Sequence, residues 1–576
     1  MLGKKYINTL FSALDKRQKI KMLFFGLFIL IITFLESFGL GMFYPFLQSI
    51  TDNEINSSIK EFYFKTKSIL KVDTSIEVLS ILIVAIIIVT KNIISFIFEY
   101  WQLTFLNELR LNLKSKILKS HFQNDYEISS NIKMSTYVRD FNSTIENFVN
   151  TFYYVIQFFI EIAIFIGILI LISIIQSKQI LIFSILIALL ALTLFLILRK
   201  LITSYGKKHL DLQDKSLKKL IDILNSTKEI IIFKKESIFI KHFKSIEFKN
   251  LNLIKIVSLI QKFPKFFFES LVIVSFTIFI FYSKNQGIEL SNLLPQLSIV
   301  FLALLKLLPA VTKILFYSQK LNFAEQAAIK ISEDIKTFNR VKSETGTEMN
   351  LFFKDSIELR DLEFKYKNRK NLIFKNLNLK INKGDYVGIH GPSGGGKTTL
   401  IGLFCGFYKP NKGKIIIDGK EIRDLRKTNW LSHVSYLTQE NNLIDESILR
   451  NVTFEFDDDK VNYDLFEEVC AQSGLSDLIQ KLPEKYNTEI GQKGITISGG
   501  ERQRIGIARS LYAKKEILIF DESTSNLDDE NKLKFIETLN ELSLTKTIII
   551  ISHDRDVTKN CKNKYSIKNN NLFSSS

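Results

Sequence analysis

Cysteine is scarce in this sequence: three residues, Cys405, Cys470 and Cys561, all in its second half and without metal-ligand spacing. That excludes a disulfide framework or a cysteine metal site, and the three read as reduced cytosolic thiols. Also missing are an internal repeat and any low-complexity tract beyond the polar Asn569–Ser576 tail. A cleavable signal peptide is not expected, because the first apolar run is too long and no small-residue cleavage site follows it. Acidic residues are outnumbered, 59 against 77 Lys and Arg, for a formal charge of +18. Such a surplus can mark a nucleic-acid binder. Here the lysines are dispersed among loops and amphipathic segments, so membrane topology and anionic headgroups account for them better, and no nucleic-acid partner is expected.

What is present is a mixture. Mean hydropathy is positive at +0.12, yet 24% of the residues are charged. A membrane half joined to a soluble half fits that combination. A basic amphipathic start, with Lys4, Lys5, Lys16, Arg17, Lys19 and Lys21, runs into Met22–Ile50, which is long enough to cross a bilayer. Further spans are expected near 77–101, 150–176, 178–200, 264–283 and 293–318, six in all. The long stretches 103–148 and 201–262 are rich in Lys and Arg, which places them in the cytosol. Their helical periodicity (Leu210, Leu217, Leu220, Ile221, Leu224) predicts that membrane helices continue well beyond the bilayer. The expected division is a transmembrane domain over 1–335, a linker over 336–350 and a soluble domain over 351–576. Short apolar strands alternate with helical segments in that last part, which is α/β logic. The clearest strands are Ile357–Tyr366, Lys414–Asp418, Val434–Leu437, Ile517–Phe520 and Thr547–Ser552.

Within the second half, the apolar run Tyr386–His390 leads into Gly391-Pro392-Ser393-Gly394-Gly395-Gly396-Lys397-Thr398-Thr399, and a helical segment follows. Strand, glycine loop and helix form the setting of a phosphate-binding loop. Glycines let backbone N–H groups close around phosphate oxygens, and the helix N-terminus adds partial positive charge. Lys397 would reach the β- and γ-phosphates and the Thr398 hydroxyl would ligate Mg²⁺. Downstream, an apolar strand ends in Asp521 and Glu522, suited to hold the water shell of Mg²⁺ and to polarise the attacking water. Between them lies Ile497-Ser498-Gly499-Gly500-Glu501-Arg502-Gln503-Arg504, whose small residues open a helix.

That last motif resembles the signature of ATP-binding cassette proteins, and other cassette motifs accompany it. The resemblance implies ATP and Mg²⁺ as cofactors, with Tyr366 stacking on adenine and Gln439 sensing Mg²⁺ and water. It also implies Ser525-Asn526-Leu527-Asp528 as the loop crossing a dimer interface, and His553 as the γ-phosphate histidine. The fold expected is a six-helix transmembrane domain of exporter type followed by an α/β P-loop nucleotide-binding domain, the layout of a half-size exporter. In that family two chains form a homodimer, each ATP lying between one subunit's phosphate loop and the other's signature, and short coupling helices transmit closure. These are expected near Tyr126–Asn131 and Asn225–Glu229. Ile497 and Glu501 depart from the usual Leu and Gln. Gln492 stands where exporters place a glutamate facing the coupling helices, which bears on coupling and not on the ATPase.

Charges inside the apolar runs point to cargo. Lys91 lies in Ile86–Ile97, Lys265 follows Pro264, and Lys306 lies in Ala303–Ala310. A lysine near the bilayer centre costs about 2.5–3.5 kcal/mol, unless it snorkels or pairs with Glu36, Glu99, Glu161 or Glu269. The segments Phe34–Phe38 with Tyr44–Phe46, Phe263–Lys265 and Leu302–Pro309 resemble lipid-linked oligosaccharide flippases of bacterial protein N-glycosylation. This implies an inner-membrane translocase in which the three lysines meet the diphosphate of a polyprenyl-linked glycan, as point charges where arginines would be expected. The alternatives are an exporter of peptides, drugs or other lipids, and an ATP-gated channel or regulator, against which a complete Glu522–His553 set weighs.

Overall fold

A computed structural model describes residues 10–11, 14–42, 76–123, 134–174, 178–285, 307–325, 327–331, 353–366, 371–392, 394–422, 427–439, 441–491, 497–524, 529–552, 554–568 and 570–574. The described residues up to 331 form one helical unit and those from 353 onward one α/β unit.

Among the described residues of the helical unit are α1 (Lys16–Gly41), α2 (Ile76–Gln123), α3 (Met134–Arg139), α4 (Ile145–Ile174), α5 (Lys178–Asn225), α6 (Thr227–Ile232), α7 (Glu236–Asn285) and α8 (307–325). Among the described residues, three stretches are long and apolar enough to cross a membrane: Lys16–Gly39, Ile81–Phe122 and Met134–Leu171. Helices α5 and α7, of 48 and 50 residues, run through the stretches where the fourth and fifth spans are expected. A helix of that size measures about 70 Å, more than twice the hydrocarbon thickness of a bilayer. The expected sixth span lies partly outside the described residues, and the linker and the segment 126–131 lie wholly outside them. At the other expected coupling position, α5 stops at Asn225 and the six-residue α6 follows. Pro264 lies inside α7, which continues through it.

Aromatic rings knit α1, α2 and α4. Phe25 meets Phe98 and Phe105 edge-on at 5.5 and 5.4 Å, and Phe148 and Phe152 close the same core. At Gly206 in α5 a side chain would collide with the backbone carbonyl of Phe323 in α8, so only glycine permits this approach. Between α3 and α4 one turn, Asp140–Thr144, is a π-helix. Asp140 is buried there. It accepts hydrogen bonds from Arg139, at 2.9 and 3.0 Å, from the Thr144 hydroxyl at 2.9 Å and from Lys330. Arg139 also reaches Asp214 of α5 at 3.2 Å.

The α/β unit carries two main sheets and a small antiparallel pair, β7 (Glu446–Ser447) with β8 (Glu489–Ile490). An antiparallel sheet has the order β2-β1-β4-β5, from β1 (Ser356–Phe364), β2 (Phe374–Asn382), β4 (Lys412–Ile417) and β5 (Lys420–Glu421). The larger sheet has the order β12-β11-β3-β10-β9-β6. Its strands are β3 (Tyr386–His390), β6 (Val434–Leu437), β9 (Ile517–Asp521), β10 (Thr547–Ile551), β11 (Asn563–Lys568) and β12 (Asn571–Ser574). All its pairings are parallel except that of the edge strand β12. Strands β9 and β10 are buried throughout because alternate side chains enter different cores. Ile517, Ile519, Ile549 and Ile551 pack with the antiparallel sheet, while Leu518, Phe520, Ile548 and Ile550 pack under the helices behind. The strands read from sequence agree with these within about two residues. Both β3 and β9 end at the same edge of the sheet, and the loops leaving that edge carry the candidate site.

Candidate ATP-binding and hydrolysis site

The glycine loop joins β3 to α9 (Lys397–Phe404). Gly394 and Gly396 have φ of +76° and +100°, conformations that a side chain would strain. Gly396 has no side chain to cap α9, so no side-chain cap occupies the helix N-terminus, as suits an anion site. Lys397 is 7% exposed and folds back along the loop, donating to the carbonyls of Gly391 at 2.9 Å and Pro392 at 3.3 Å. Its ammonium also lies 3.5 Å from Glu522.

At the end of β9, Asp521 is buried and Glu522 has left the strand with φ +49°, its N–H donating to the Ile551 carbonyl at 2.9 Å. A non-glycine residue in that region stores strain of about 1–3 kcal/mol, and such residues concentrate at functional sites. Thr398 and Tyr436 both donate to Asp521 Oδ2, at 3.3 and 3.1 Å. Burial pushes the Asp521 carboxyl above the ordinary aspartate range, while Tyr436, Thr398 and Lys397 pull the other way. The Gln439 amide donates to Glu522 Oε2 at 2.6 Å. One loop edge therefore gathers Lys397, Thr398, Gln439, Asp521 and Glu522.

These residues fit a nucleotide carrying Mg²⁺. Among the described residues no group of three His, Cys, Asp or Glu could hold a metal alone. A hydroxyl and one carboxylate suit an ion that keeps waters and takes phosphate oxygens for its remaining ligands. Bound Mg²⁺ would neutralise charge on the phosphates; Lys397 and the N-terminus of α9 would bind the same charge.

The signature segment opens α12, counting α10 (Ile448–Thr453) and α11 (Tyr463–Gln472) before α12 (Gly499–Tyr512). Ser498 caps it by accepting from the Glu501 N–H at 3.2 Å, and Glu501 accepts in return from the Ser498 N–H at 2.8 Å. Glu501, unusual for the signature, thus completes a reciprocal cap that leaves the Gly499 and Gly500 N–H groups outside it. Tyr366 packs edge-on against Phe364 and Tyr408 at 5.2 and 5.5 Å, and its hydroxyl lies 2.9 Å from that of Thr399. Ser393, His553, Gln492 and the loop 525–528 lie outside the described residues.

Three contributors were not anticipated. Tyr436 holds Asp521, and Gln503 of α12 donates to the Glu522 carbonyl at 3.2 Å, tying the signature helix to the end of β9. His390 meets the Thr558 hydroxyl at 2.8 Å immediately before the glycine loop. Each contact depends on strand order, which local sequence does not encode; an in-register aromatic at the strand preceding Gln439 is the nearest signal.

In the helical unit, Lys91 pairs with Glu36 at 2.7 Å and Lys265 with Glu269 at 3.9 Å, the latter pair exposed. Lys306 lies outside the described residues. The pairing with nearby acids thus applies to Lys91 and Lys265, and neither stands as a spare cation. Glu161 pairs with Lys313 at 2.7 Å, a lysine the apolar runs did not single out.

Helical unit and α/β unit together define the fold of an ATP-binding cassette exporter, a helical transmembrane domain followed by a nucleotide-binding domain. Residues 374–525 match the family model described as ABC transporter. The solved structure of a bacterial Atm1-family ABC exporter with ATP bound superposes with a TM-score of 0.71, covering 97% of this chain and 95% of that one. At 19% identity, that likeness is one of fold. The alpha-hemolysin translocation ATP-binding protein HlyB of Escherichia coli O157:H7 is 37% identical over 235 residues, 41% of this chain and 33% of its own length. ABC transporter B family member 29, chloroplastic, of Arabidopsis thaliana is 39% identical over 197 residues, 34% of this chain and 31% of its own. The chain spans about a third of the length of these curated relatives.

Proposed function

We propose that this chain is one half of a homodimeric, ATP-driven exporter of the bacterial inner membrane, with its α/β unit in the cytosol and six membrane spans. The observation that carries the reading is the convergence of Lys397, Thr398, Gln439, Asp521 and Glu522 at one sheet edge, beside the glycine-capped N-terminus of α9. Glu522 acts as the base toward the attacking water, Gln439 orients that carboxylate, and Asp521 with Thr398 serves Mg²⁺. Ser498, Gly499 and Gly500 complete the partner's site, and His553 faces the γ-phosphate. Tyr366 carries the adenine contact, and coupling passes through the segments at 126–131 and 225–229. Purified protein in liposomes should hydrolyse ATP only with Mg²⁺; hydrolysis without Mg²⁺ would overturn the assignment.

For cargo, the reading is a polyprenyl-diphosphate-linked oligosaccharide, supported by the resemblance of Phe34–Phe38, Phe263–Lys265 and Leu302–Pro309 to glycolipid flippases. The ion pairs of Lys91 and Lys265 remove part of its electrostatic basis and leave Lys306 as the remaining expected diphosphate contact. A second reading, export of a polypeptide, is favoured by the likeness to a protein named for alpha-hemolysin translocation. An ATPase panel of lipid-linked glycans, peptides and dyes separates them: stimulation by peptides alone would replace the glycolipid.

A further inference from the structure

Tyrosine, carboxylate and amide side chains gather where α2, α4 and α8 meet. Tyr154 and Tyr317 stack at 6.3 Å, while Tyr153 stands edge-on to both, at 5.9 and 6.5 Å. Tyr153 and Tyr317 lie within electrostatic reach of each other, and Glu99 of both. Two turns further along α4, buried Glu161 holds Lys313 of α8. Gln157 of α4 donates to Gln102 of α2 at 3.3 Å. Gln102 is fully buried, and among the described residues its own NH₂ has no hydrogen-bond partner.

The placement is costly unless something uses it. Helix α4 and the relevant part of α2 belong to stretches apolar enough to cross a membrane. Gln157 and Glu161 lie inside the third expected span, and polar or ionisable groups there turn toward a bundle interior or a water-filled cavity and mark substrate pathways. Following the chain, Glu99 ends the second expected span, Tyr153 begins the third and Tyr317 ends the sixth. All three therefore stand at the cytosolic side, where cargo enters.

We propose that this cluster is a saccharide-binding site: Tyr153, Tyr154 and Tyr317 stack on sugar faces while Glu99, Gln102 and Gln157 take the hydroxyls. The inference rests on the glycolipid reading of the cargo and adds a built recognition site for its sugar. Ligand class follows from the balance of groups. A diphosphate would face the carboxylates of Glu99 and Glu161 with only Lys313 to offset them. An organic cation would meet Glu99 and the ring faces but would leave the amides of Gln102 and Gln157 unused. A neutral, hydroxyl-rich ring uses donors, acceptors and aromatic faces together, and aromatic stacking adds about 0.5–1.5 kcal/mol per ring beyond area burial.

The test uses full-length protein in liposomes and two probes: a polyprenyl diphosphate bearing a neutral oligosaccharide, and the same lipid without sugar. Each ATPase rate is divided by the unstimulated rate of the same variant. The parent should reach half-stimulation at a lower concentration of the glycan-bearing lipid than of the bare one. Tyr317→Ala should raise the glycan-bearing value about tenfold, as expected for loss of about 1.4 kcal/mol, and leave the bare-lipid value in place. Tyr317→Phe, which keeps the ring, should retain the preference. If Tyr317→Ala cannot be recovered from membranes, Tyr154→Ala gives the same reading. A parent that responds equally to both lipids, or alanine variants that keep the preference, overturns the saccharide site while the glycolipid cargo stands. A parent that hydrolyses ATP yet responds to neither lipid overturns the glycolipid cargo itself.

Discussion

The ion pair between Glu36 of α1 and Lys91 of α2 gives the sharpest test of how the helical unit tolerates charge. Its atoms are 2.7 Å apart, and the side chains are 10% and 22% exposed. Glu36→Gln keeps the shape and strands the ammonium; Lys91→Met strands the carboxylate. Each single change should cost about 3 kcal/mol, the order found when one partner of a buried pair is removed or a lone charge is held within a span. The double variant replaces both charges and should return to within about 1 kcal/mol of the parent, since well-packed neutral replacements of a buried pair are often harmless. A coupling energy of about 5 kcal/mol, close to the sum of the two single effects, is therefore expected from the cycle. Thermal unfolding of the four proteins in one detergent at fixed lipid content supplies the measurement. Additive losses in the double variant would show that the two charges do not depend on each other, and Lys91 would then return as a cavity cation. Glycolipid stimulation of the stable double variant is a second, independent measurement: its loss would assign Lys91 to cargo even though it is paired.

In the α/β unit, Glu522→Gln should slow ATP turnover by about a hundredfold or more, because general-base catalysis contributes on that scale, while nucleotide binding persists; undiminished turnover would remove Glu522 from its role. Mixing Lys397→Ala chains with Ser498→Arg chains should leave one intact composite site per heterodimer and restore ATP-dependent crosslinking of the α/β units, whereas failure of every heterodimer would refute the shared site. Arg509 of α12 bonds the Asn451 carbonyl at 2.7 Å and Asn441 at 3.1 Å, and burial pulls its pKa down to about 10, so it stays charged at neutral pH. Arg509→Ala should destabilise the unit by about 3 kcal/mol, read by denaturant titration, because it strands buried acceptors. The Asp554 carboxyl is held below the ordinary aspartate range by Lys532 and by the Asp556 N–H. Its contribution is present above the unfolded pKa of about 4 and is lost as pH falls through the lowered folded value, so Asp554→Asn should flatten the acid end of the stability profile.

Local signals carried the α/β unit well. The runs Tyr386–His390, Ile517–Asp521 and Thr547–Ile551 are short and apolar because both faces are buried, and the loops leaving their ends announce themselves by glycines and acids. The partners of those loops were not legible. Tyr436 reaches Asp521 because β6 and β9 are neighbours in register, and Gln503 reaches Glu522 because α12 packs against that edge. In the helical unit, hydropathy located apolar stretches but could not match acids to bases. Lys91 found Glu36 on another helix, whereas Lys313 escaped notice because it follows Pro309 near the end of its apolar run.

The π turn at Asp140–Thr144 limits which changes of length this protein can inherit. A regular helix advances about 100° per residue, so losing one residue from that turn would turn everything before it by that angle relative to α4. Arg139 and Asp140 would swing away from Asp214 and Lys330, and a buried carboxylate would lose several partners at once. Single-residue deletions there should be purged in a saturating deletion screen, while deletions in the exposed turn near Phe233–Lys235 are tolerated. The extra residue works as a phase setter: it fixes the angular reading frame in which two segments of one long rod meet their neighbours.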